Sequence, residues 1–285
     1  MIRIYRISLF CFLFLFASTL VMAAARKIVV FNSGVSNDTK DRIVLNAKCT
    51  KIKNLRLING MAVFLPEQAS DKAVEALLKN VEIARVDSDL VITASRVTVT
   101  PRSSRTPKTG RVTVTKPDPV EEQGKPDKPG KPPKPDPEPD PDPVPSETLP
   151  WGIDRIDADT AQSICTGLGI KVAVLDTGID LDHPDLAANI KGDVNVISSR
   201  KSGDDDNGHG THCAGIIAAI DNEIGVIGVA PQADLYSVKV LDRKGSGYLS
   251  DLVEGLDWCI ANNIQVISMS LSSPGDNQTF HDAIT

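Results

Sequence analysis

The chain has 285 residues, and its 41% apolar and 24% charged content excludes a wholly disordered protein. A net charge of −6 argues against a nucleic-acid-binding protein that works by bulk positive charge. The charge is divided unevenly, since residues 26–94 carry a net +3 and residues 151–285 a net −12, so the two segments could attract each other.

Residues 1–25 have the pattern of a signal peptide. Arg3 and Arg6 precede an uncharged apolar run at residues 7–17, and the small residues 23–25 suit cleavage. This run is short for a transmembrane helix, and no later stretch approaches the roughly 18 apolar residues that one needs. We therefore expect a secreted protein without a membrane attachment after cleavage.

Residues 26–94 are predicted to form a small α+β domain. The pattern predicts a strand at 27–31, a helix at 37–45, two strands within 55–65, a helix at 70–79 and a strand within 81–92. Ser70 is the expected cap of the second helix. The order β-α-β-β-α-β is typical of a ferredoxin-like fold.

A linker at residues 95–149 is predicted from proline content. Residues 95–150 hold 15 of the 19 prolines, alternating with charged residues in the later part of the segment. Such a segment cannot bury a core and favours an extended, semi-rigid spacer. A ligand for a proline-binding domain is the alternative interpretation.

From residue 150 the pattern changes to α/β. Continuous apolar runs at 170–175, 235–241 and 264–269 predict buried strands, and helices are expected at 210–220 and 248–262. Alternation of strands and helices indicates a doubly wound parallel sheet. In such sheets the chemistry lies beyond the carboxyl ends of the strands.

Two residues stand where such chemistry is expected. Asp176 ends the strand at 170–175, and His209 stands 33 residues later, where the helix at 210–220 begins. A helix N-terminus disfavours a protonated histidine. A carboxylate bonded to one imidazole nitrogen offsets this effect and fixes the tautomer, which leaves the other nitrogen free to act as a base.

The sequence resembles the subtilisin-like serine proteases, the subtilases, over nearly all of residues 150–275. The resemblance rests on WGIDRIDA, VAVLDTGIDLDHPDL, DNGHGTHCAG, GVIGVAPQADLYSVKVLDRKGSGYLSDLVEGLDW and VISMSL, in the family's order and spacing. It implies that Asp176 and His209 are two members of a catalytic triad in a subtilisin-like parallel sheet. It also implies that residues 26–94 are a propeptide that assists folding and inhibits the enzyme, and that the substrates are polypeptides. The protease is expected to be a monomer.

The resemblance further implies the residues that bind an extended substrate. Gly245, Ser246 and Gly247 would form one edge, and Ser270 and Leu271 the opposite edge. The family usually has two glycines at residues 272–273, where this chain has serines. Their hydroxymethyl groups are expected to narrow the primary substrate pocket.

A structural calcium ion is also implied by the resemblance. Its expected ligands are carboxylate, amide and carbonyl oxygen atoms, which suit Ca²⁺. The implied ligands are the side chains of Asp185 and Asn222, the carbonyl groups of Ile220, Ile224 and Val226, and Glu147 at the position of an amide ligand.

The family's serine nucleophile, in a GTSMA-like motif, is expected about 190 residues after the aspartate, near position 365. No such motif occurs in residues 1–285. We therefore expect residues 150–285 to be the N-terminal part of the peptidase domain, with an incomplete sheet, and to be inactive alone. The alternative is a truncated, non-catalytic secreted protein that keeps only the propeptide and peptide-binding surfaces.

The same residues admit other interpretations. Asp-Thr-Gly at residues 176–178 also occurs in aspartic proteases, which need two copies in a β-rich fold. Zinc binding would use His183, His209 and His212. The run of aspartates at 204–206 suits a solvated loop or a second cation site.

The cysteines could serve as disulfide partners or as reactive groups. Cys165, Cys213 and Cys259 are three in number, so the peptidase segment is not a disulfide scaffold, although one bridge and one free thiol remain possible. Cys213 is expected to be a small core residue one helical turn after His209, the alternatives being a reactive or a bridged cysteine.

Overall fold

A computed structural model describes residues 25–95 and 147–285, so the predicted signal peptide and nearly all of the spacer lie outside the described residues. We call residues 25–90 the N-terminal unit and residues 147–285 the C-terminal unit. The two units pack against each other and share a hydrophobic core. Within the described ranges, no helix has both the length and the apolar character needed to cross a membrane.

The N-terminal unit is an antiparallel sheet with two helices, in the element order that the sequence predicts. Its strands lie in the order β2-β3-β1-β4. The elements are β1 (Arg26–Phe31), α1 (Asn37–Asn46), β2 (Thr50–Leu55), β3 (Gly60–Phe64), α2 (Ser70–Leu78) and β4 (Ile83–Ser88), with a single 3₁₀ turn at Arg56–Ile58.

The two helices of this unit begin differently. The hydroxyl group of Ser36 caps α1 by accepting a hydrogen bond from the amide of Thr39 at 3.3 Å. The expected cap by Ser70 is wrong, because Ala69 is the N-cap of α2 and no side chain bonds to the helix end. Burial of Ala73 and Leu77 against the sheet stabilises α2 without it.

Strand β1 is buried on both faces. Val29 and Phe31 belong to the core between the sheet and its two helices. Ile28 and Val30, on the opposite face, belong to a second core that the N-terminal unit shares with the C-terminal unit. The N-terminal sheet therefore depends on both units for its packing.

The C-terminal unit is built on a parallel sheet with the strand order β10-β6-β8-β7. Three further short strands and the helices complete the fold. The elements from residue 91 onwards are β5 (Val91–Ala94), α3 (Trp151–Arg155), α4 (Ala158–Gln162), β6 (Lys171–Asp176), β7 (Ile190–Asn195), α5 (His209–Ala218), β8 (Asp234–Lys239), β9 (Ser246–Tyr248), α6 (Leu249–Ala261), β10 (Val266–Ser268), β11 (Leu271–Ser272) and α7 (Gln278–Ile284).

Strand β6 is buried on both faces, as its continuous apolar run predicts. Val172 and Val174 face a core that includes α5, while Ala173 and Leu175 face the shared core that includes α6. The parallel arrangement is that of the α/β sheet that the sequence predicts. It brings the carboxyl ends of the central strands to one edge, where Asp176 lies.

The strand predicted within residues 81–92 is two strands that belong to different sheets. β4 pairs with β1 in the N-terminal unit, whereas β5 lies between β9 and β11 of the C-terminal unit and is antiparallel to both. The sequence pattern did not reveal this division, because both halves are strand-like. The partner strands decide where the first sheet ends.

Candidate active site

Asp176 is fully buried at the end of β6. Its Oδ1 atom accepts a hydrogen bond from the amide of Thr177 at 2.7 Å and lies 2.7 Å from Nδ1 of His209. Both of these groups reach Oδ1 and stabilise the buried carboxylate there, whereas Oδ2 is buried without a hydrogen-bond partner among the described residues. The contact therefore favours the imidazole tautomer with the proton on Nδ1, which leaves Nε2 able to accept one.

His209 begins α5, and a tight approach of backbone segments fixes its place. The amide of Gly210 donates to the hydroxyl group of Thr177 at 2.9 Å. A Cβ atom on Gly210 would lie 2.1 Å from the carbonyl oxygen of Gly178. Only glycine allows the start of α5 to come this close to the end of β6.

Asp205 holds the loop that precedes His209. Its carboxylate accepts hydrogen bonds from the amides of Asn207, Gly208 and Thr211, and from the Thr211 hydroxyl group at 2.6 Å. Burial alone would raise the pKa of Asp205, but these hydrogen bonds outweigh burial and hold the pKa below its ordinary value. The charged carboxylate thus stabilises the N-terminus of α5.

The other two aspartates of this loop also have protein partners. Asp204 accepts a hydrogen bond from the amide of Leu181 at 3.2 Å. Asp206 pairs at 2.6 Å with Nζ of Lys239, a buried lysine that also donates to the carbonyl oxygen of Thr177. The aspartates at residues 204–206 therefore stabilise the site by bonding to neighbouring parts of the protein. Sequence reasoning missed the role of Lys239.

Cys213 lies one turn after His209, with its sulfur 4.0 Å from Nδ1 of the imidazole. Burial raises the pKa of its thiol, although a hydrogen bond with Ser270 acts in the opposite direction. The thiol is therefore protonated at neutral pH, and its sulfur lies beside Nδ1 of the imidazole. Cys49, Cys165, Cys213 and Cys259 are all free thiols, so no disulfide links the described cysteines.

The zinc interpretation with three histidines is not supported by the arrangement of the described residues. Their one cluster of three potential ligands is Asp176, His209 and Cys213, within 4.8 Å of one another, and it includes neither His183 nor His212. Nδ1 of His183 accepts a hydrogen bond from the amide of Asp185 at 3.2 Å. The parallel α/β sheet likewise does not fit an aspartic protease.

Strand β5 runs through the cleft beside His209 as an extended peptide. The amide of Ala94 donates to the carbonyl oxygen of Gly245 at 2.8 Å, and the amide of Ser95 donates to that of Ser270 at 2.9 Å. The carbonyl oxygen of Ser95 lies 3.2 Å from Nε2 of His209. Both expected substrate-binding edges thus hold a segment of the chain itself.

The register of the two edges is defined by strand pairing. In β9, Ser246 and Gly247 pair with Thr93 and Ile92, and in β11, Leu271 pairs with Ala94. Ile92 is only 3% exposed. Its side chain belongs to the shared core, which also includes Leu249 and Leu252, with Leu271 and Phe280 packed against it.

The expected narrowing of the primary substrate pocket by Ser272 and Ser273 stays a prediction, but both serines make contacts that the sequence did not predict. The hydroxyl oxygen of Ser272 lies 3.1 Å from that of Thr93. The Ser273 hydroxyl group donates to the carbonyl oxygen of Gly275 at 3.2 Å. Ser272 therefore contacts the residue two positions before Ser95, and Ser273 bonds within its own loop.

The residues expected to bind calcium lie around one loop, at residues 220–226. Glu147 accepts a hydrogen bond from the amide of Asn222 at 3.0 Å, and the amide of Thr148 donates to the carbonyl oxygen of Gly225. Oδ2 of Asp185 accepts from the amide of Val226 at 3.0 Å. The amide of Ile224 donates to the side-chain oxygen of Asn222 at 3.1 Å.

Oδ1 of Asp185 is buried and has no hydrogen-bond partner among the described residues. A buried carboxylate oxygen without a donor is costly unless a cation satisfies it. The loop also approaches closely, since a Cβ atom on Gly225 would lie 2.5 Å from Oδ2 of Asp185. These features fit a hard cation bound by oxygen atoms.

Charged side chains join the N-terminal unit to α6. Lys53 pairs with Asp251 at 2.6 Å and with Glu254 at 2.5 Å, and Arg56 pairs with Asp257 at 3.0 Å. Burial alone would lower the pKa of Lys53, but Asp251 and Glu254 outweigh burial and raise it. The opposite net charges of the two segments pointed to such an attraction without identifying the residues.

Comparison with protein families matches residues 167–285 to the subtilase family. The match begins just before β6 and includes both Asp176 and His209. The N-terminal unit and residues 147–166 lie outside the match.

Comparison with curated proteins finds bacterial proteases. A thermostable alkaline protease of Halalkalibacterium halodurans is 53% identical over 140 residues, which are 49% of this chain and 38% of that protein. Subtilisin Savinase of Lederbergia lenta is 49% identical over 140 residues, 49% of this chain and 51% of that protein. Subtilisin E of Bacillus subtilis is 49% identical over 131 residues, 45% of this chain and 34% of that protein. The matched part thus spans between about a third and half of these relatives.

Proposed function

Because residues 167–285 belong to the subtilase family, we propose that the chain is the propeptide and the first part of the catalytic domain of a secreted subtilisin-like serine endopeptidase. The observation that carries this proposal is the 2.7 Å contact between Asp176 and Nδ1 of His209, with Nε2 facing a peptide carbonyl group in the cleft. The protease acts as a monomer on polypeptides and is made as a zymogen.

In the proposed mechanism His209 is the general base. Asp176 holds the imidazole with its proton on Nδ1 and stabilises the imidazolium that forms when Nε2 takes a proton from a serine hydroxyl group. The serine oxygen then attacks the substrate carbonyl carbon, and the imidazolium returns its proton to the leaving amine. We assign that serine to a part of the protein outside residues 1–285, since Nε2 faces Ser95 and not a serine hydroxyl group within the described residues.

The position of β5 supports a specific processing site. The carbonyl group of Ser95 is next to Nε2 of His209, and hydrogen bonds on both sides hold the two residues before the next peptide bond. Such pairing of an extended peptide with two strand edges is how β-augmentation binds substrates. We assign the maturation cleavage to the bond between Ser95 and Arg96.

The N-terminal unit is proposed to act as an intramolecular inhibitor. Strand β5, which directly follows this unit, occupies the substrate cleft, and Lys53 and Arg56 of the unit pair with acidic residues of α6. A substrate cannot occupy the same strand position while β5 is paired there. Inhibition therefore lasts until the N-terminal unit leaves the C-terminal unit.

A structural calcium ion is proposed at the loop of residues 220–226. The partnerless Oδ1 of Asp185 supports it, and a bound Ca²⁺ would supply the missing positive charge. The proposed ligands are the side chains of Glu147, Asp185 and Asn222 and the carbonyl groups of Ile220, Ile224 and Val226.

The test of the proposed function uses the full-length protein. His209→Ala is expected to lower casein hydrolysis by at least about 10²- to 10⁴-fold, because the general base is lost. His212→Ala is the control, since His212 is exposed and lies on the same helix. A fluorophosphonate probe should label the wild type, and N-terminal sequencing should find Arg96 after processing. Unchanged hydrolysis in His209→Ala, or labelling of a serine within residues 25–285, would contradict the proposal.

A further inference from the structure

The hydroxyl groups of Thr93 and Ser272 meet across the pairing of β5 with β11. Their oxygen atoms are 3.1 Å apart, and the Ser272 hydroxyl group also lies 3.5 Å from the carbonyl oxygen of Thr93. The two residues are directly paired in the register of these strands. Thr93 is the third residue before the proposed scissile bond, counting Ser95 as the first.

The contact requires short polar side chains at both positions. Residues directly opposite in an antiparallel pair have Cβ atoms about 4.5–5.5 Å apart, a distance at which two hydroxyl groups can bond. Valine at residue 93 would have nearly the shape of threonine without the donor and acceptor. Glycine or alanine at residue 272 would leave a hydroxyl group on the bound peptide without this partner.

The neighbouring side chains of β5 are recognised by other means. Ile92 packs in the shared hydrophobic core, and the amides of Ala94 and Ser95 bond to backbone carbonyl groups, which any residue type except proline can do. On this strand, the hydrogen bond between side chains is the one at Thr93. That contact therefore distinguishes one residue type from another at this position in the cleft.

We propose that Ser272 is a specificity-determining residue that favours substrates with threonine or serine at the third position before the scissile bond. This inference rests on the proposed function, in which substrates replace β5 between β9 and β11. The two hydroxyl groups are exposed, so water competes with the contact and the preference is modest. We expect threonine to be favoured over valine by about two- to tenfold in kcat/KM.

The test compares two peptides with the same leaving group. One has Val-Ile-Thr-Ala-Ser before the leaving group, as in residues 91–95, and the other has Val-Ile-Val-Ala-Ser. The full-length protease should prefer the threonine peptide, and Ser272→Ala should lower the ratio of the two kcat/KM values to about one. Ser273→Ala is the matched control, because its hydroxyl group bonds to Gly275, and it should keep the wild-type ratio.

A wild-type ratio of one, or a ratio that Ser272→Ala leaves unchanged, would overturn the inference. A binding measurement separates this failure from a failure of the proposed function. The corresponding product peptides, which end in the free carboxylate of serine, are titrated calorimetrically into the wild type and Ser272→Ala. If the protein cleaves neither substrate, the proposed function fails. The inference on Ser272 then stands only if the threonine product binds more tightly to the wild type and this preference is lost in Ser272→Ala.

Discussion

The carboxylate of Asp89, in the N-terminal unit, caps helix α6 of the C-terminal unit. It accepts hydrogen bonds at 2.9 Å from both the amide and the hydroxyl group of Ser250. Arg26 completes the arrangement by donating to Asp89 at 2.8 Å and to Ser250 at 2.9 Å. Asp89 is buried by this contact. A residue of the N-terminal unit therefore helps to cap a helix of the C-terminal unit, in addition to the local hydrogen bond from the amide of Tyr248 to Asp251 at 3.2 Å.

Asp89→Ala should weaken the binding of the N-terminal unit to the C-terminal unit. The amide and hydroxyl group of Ser250 lose their acceptor, and Arg26 loses one of its two partners, so the loss corresponds to about 1–2 kcal/mol. The measurement is the lag between processing and the appearance of activity, which should shorten by about tenfold. Glu67→Gln, an exposed position of the same unit, is the control. A lag that is unchanged in Asp89→Ala would remove Asp89 from the inhibitory contact.

Two glycines in α5 should respond oppositely to alanine. Gly210→Ala places a methyl group against the backbone of Gly178 and should destabilise the protein by about 1–3 kcal/mol while reducing kcat, because His209 moves away from Asp176. Gly215 has open space at its Cβ position, so Gly215→Ala should stabilise the helix by about 0.5–1 kcal/mol. Thermal unfolding and peptide hydrolysis measure both effects. Equal responses of the two variants would refute the proposed close approach.

Calcium removal should lower the thermal midpoint of the full-length protein. A ligand that binds only the native state at about 100 times its Kd stabilises by about 2.7 kcal/mol, and EGTA removes this contribution. Asn222→Ala should lower the midpoint and abolish the response to EGTA, whereas Asp221→Ala, at an exposed neighbouring residue outside the proposed ligand set, should keep it. A wild type that unfolds at the same temperature with and without EGTA would exclude the site.

Asp205 should make stability depend on pH in the acid range. Its pKa is lower in the folded protein than in the unfolded chain, so its contribution is complete above the ordinary carboxyl pKa of about 4 and is lost as the pH falls through the folded-state value. Asp205→Asn should therefore have a lower thermal midpoint at pH 7, and the difference from the wild type should shrink below about pH 4. Using a His209→Ala background prevents self-digestion. The exposed Asp182→Asn serves for comparison, and a pH-independent difference for Asp205→Asn would contradict the hydrogen-bond account.

A bulky mercurial should inactivate the protease through Cys213. Its sulfur lies 4.0 Å from Nδ1 of His209, so a bulky group on the sulfur should displace the imidazole. Cys213→Ala should stay active and resist the reagent, while Cys165→Ser, at an exposed thiol, should remain sensitive. Burial raises the pKa of Cys259 to about 12, which makes that thiol a poor competing target. Equal inhibition of Cys213→Ala and the wild type would place the sensitive group elsewhere.

The sequence alone predicts the parts of the site that depend on local patterns. Asp176 ends an apolar strand and His209 begins a helix, so both stand out from neighbouring residues without any knowledge of distant contacts. The division of residues 81–92 could not be predicted, because β5 is defined by pairing with β9 and β11, more than 150 residues away. The role of Lys239 could not be predicted either, because its partners, the carbonyl oxygen of Thr177 and the carboxylate of Asp206, are distant in the sequence.

The contact of Ser272 with Thr93 could not be predicted for a related reason. A serine in place of glycine indicates added volume, but the direction of its hydroxyl group depends on the peptide that lies opposite. Thr93 occupies that place here, so the hydroxyl group of Ser272 makes a hydrogen bond. The absence of a capping role for Ser70 also reflects tertiary packing, which fixes the start of α2 without a side-chain bond.

The burial of both faces of β1 should make maturation irreversible. Ile28 and Val30 are covered by the C-terminal unit, together with Leu55, Ile58 and Ala62 of the same sheet. If the bond after Ser95 is cut and the N-terminal unit departs, these five side chains become exposed to water and the unit loses one of its two cores. Their transfer to water disfavours the folded form of the released unit, and an unfolded chain is itself a substrate for the protease that it has just left. The released inhibitor would then be degraded, so it could not rebind and activation would be irreversible.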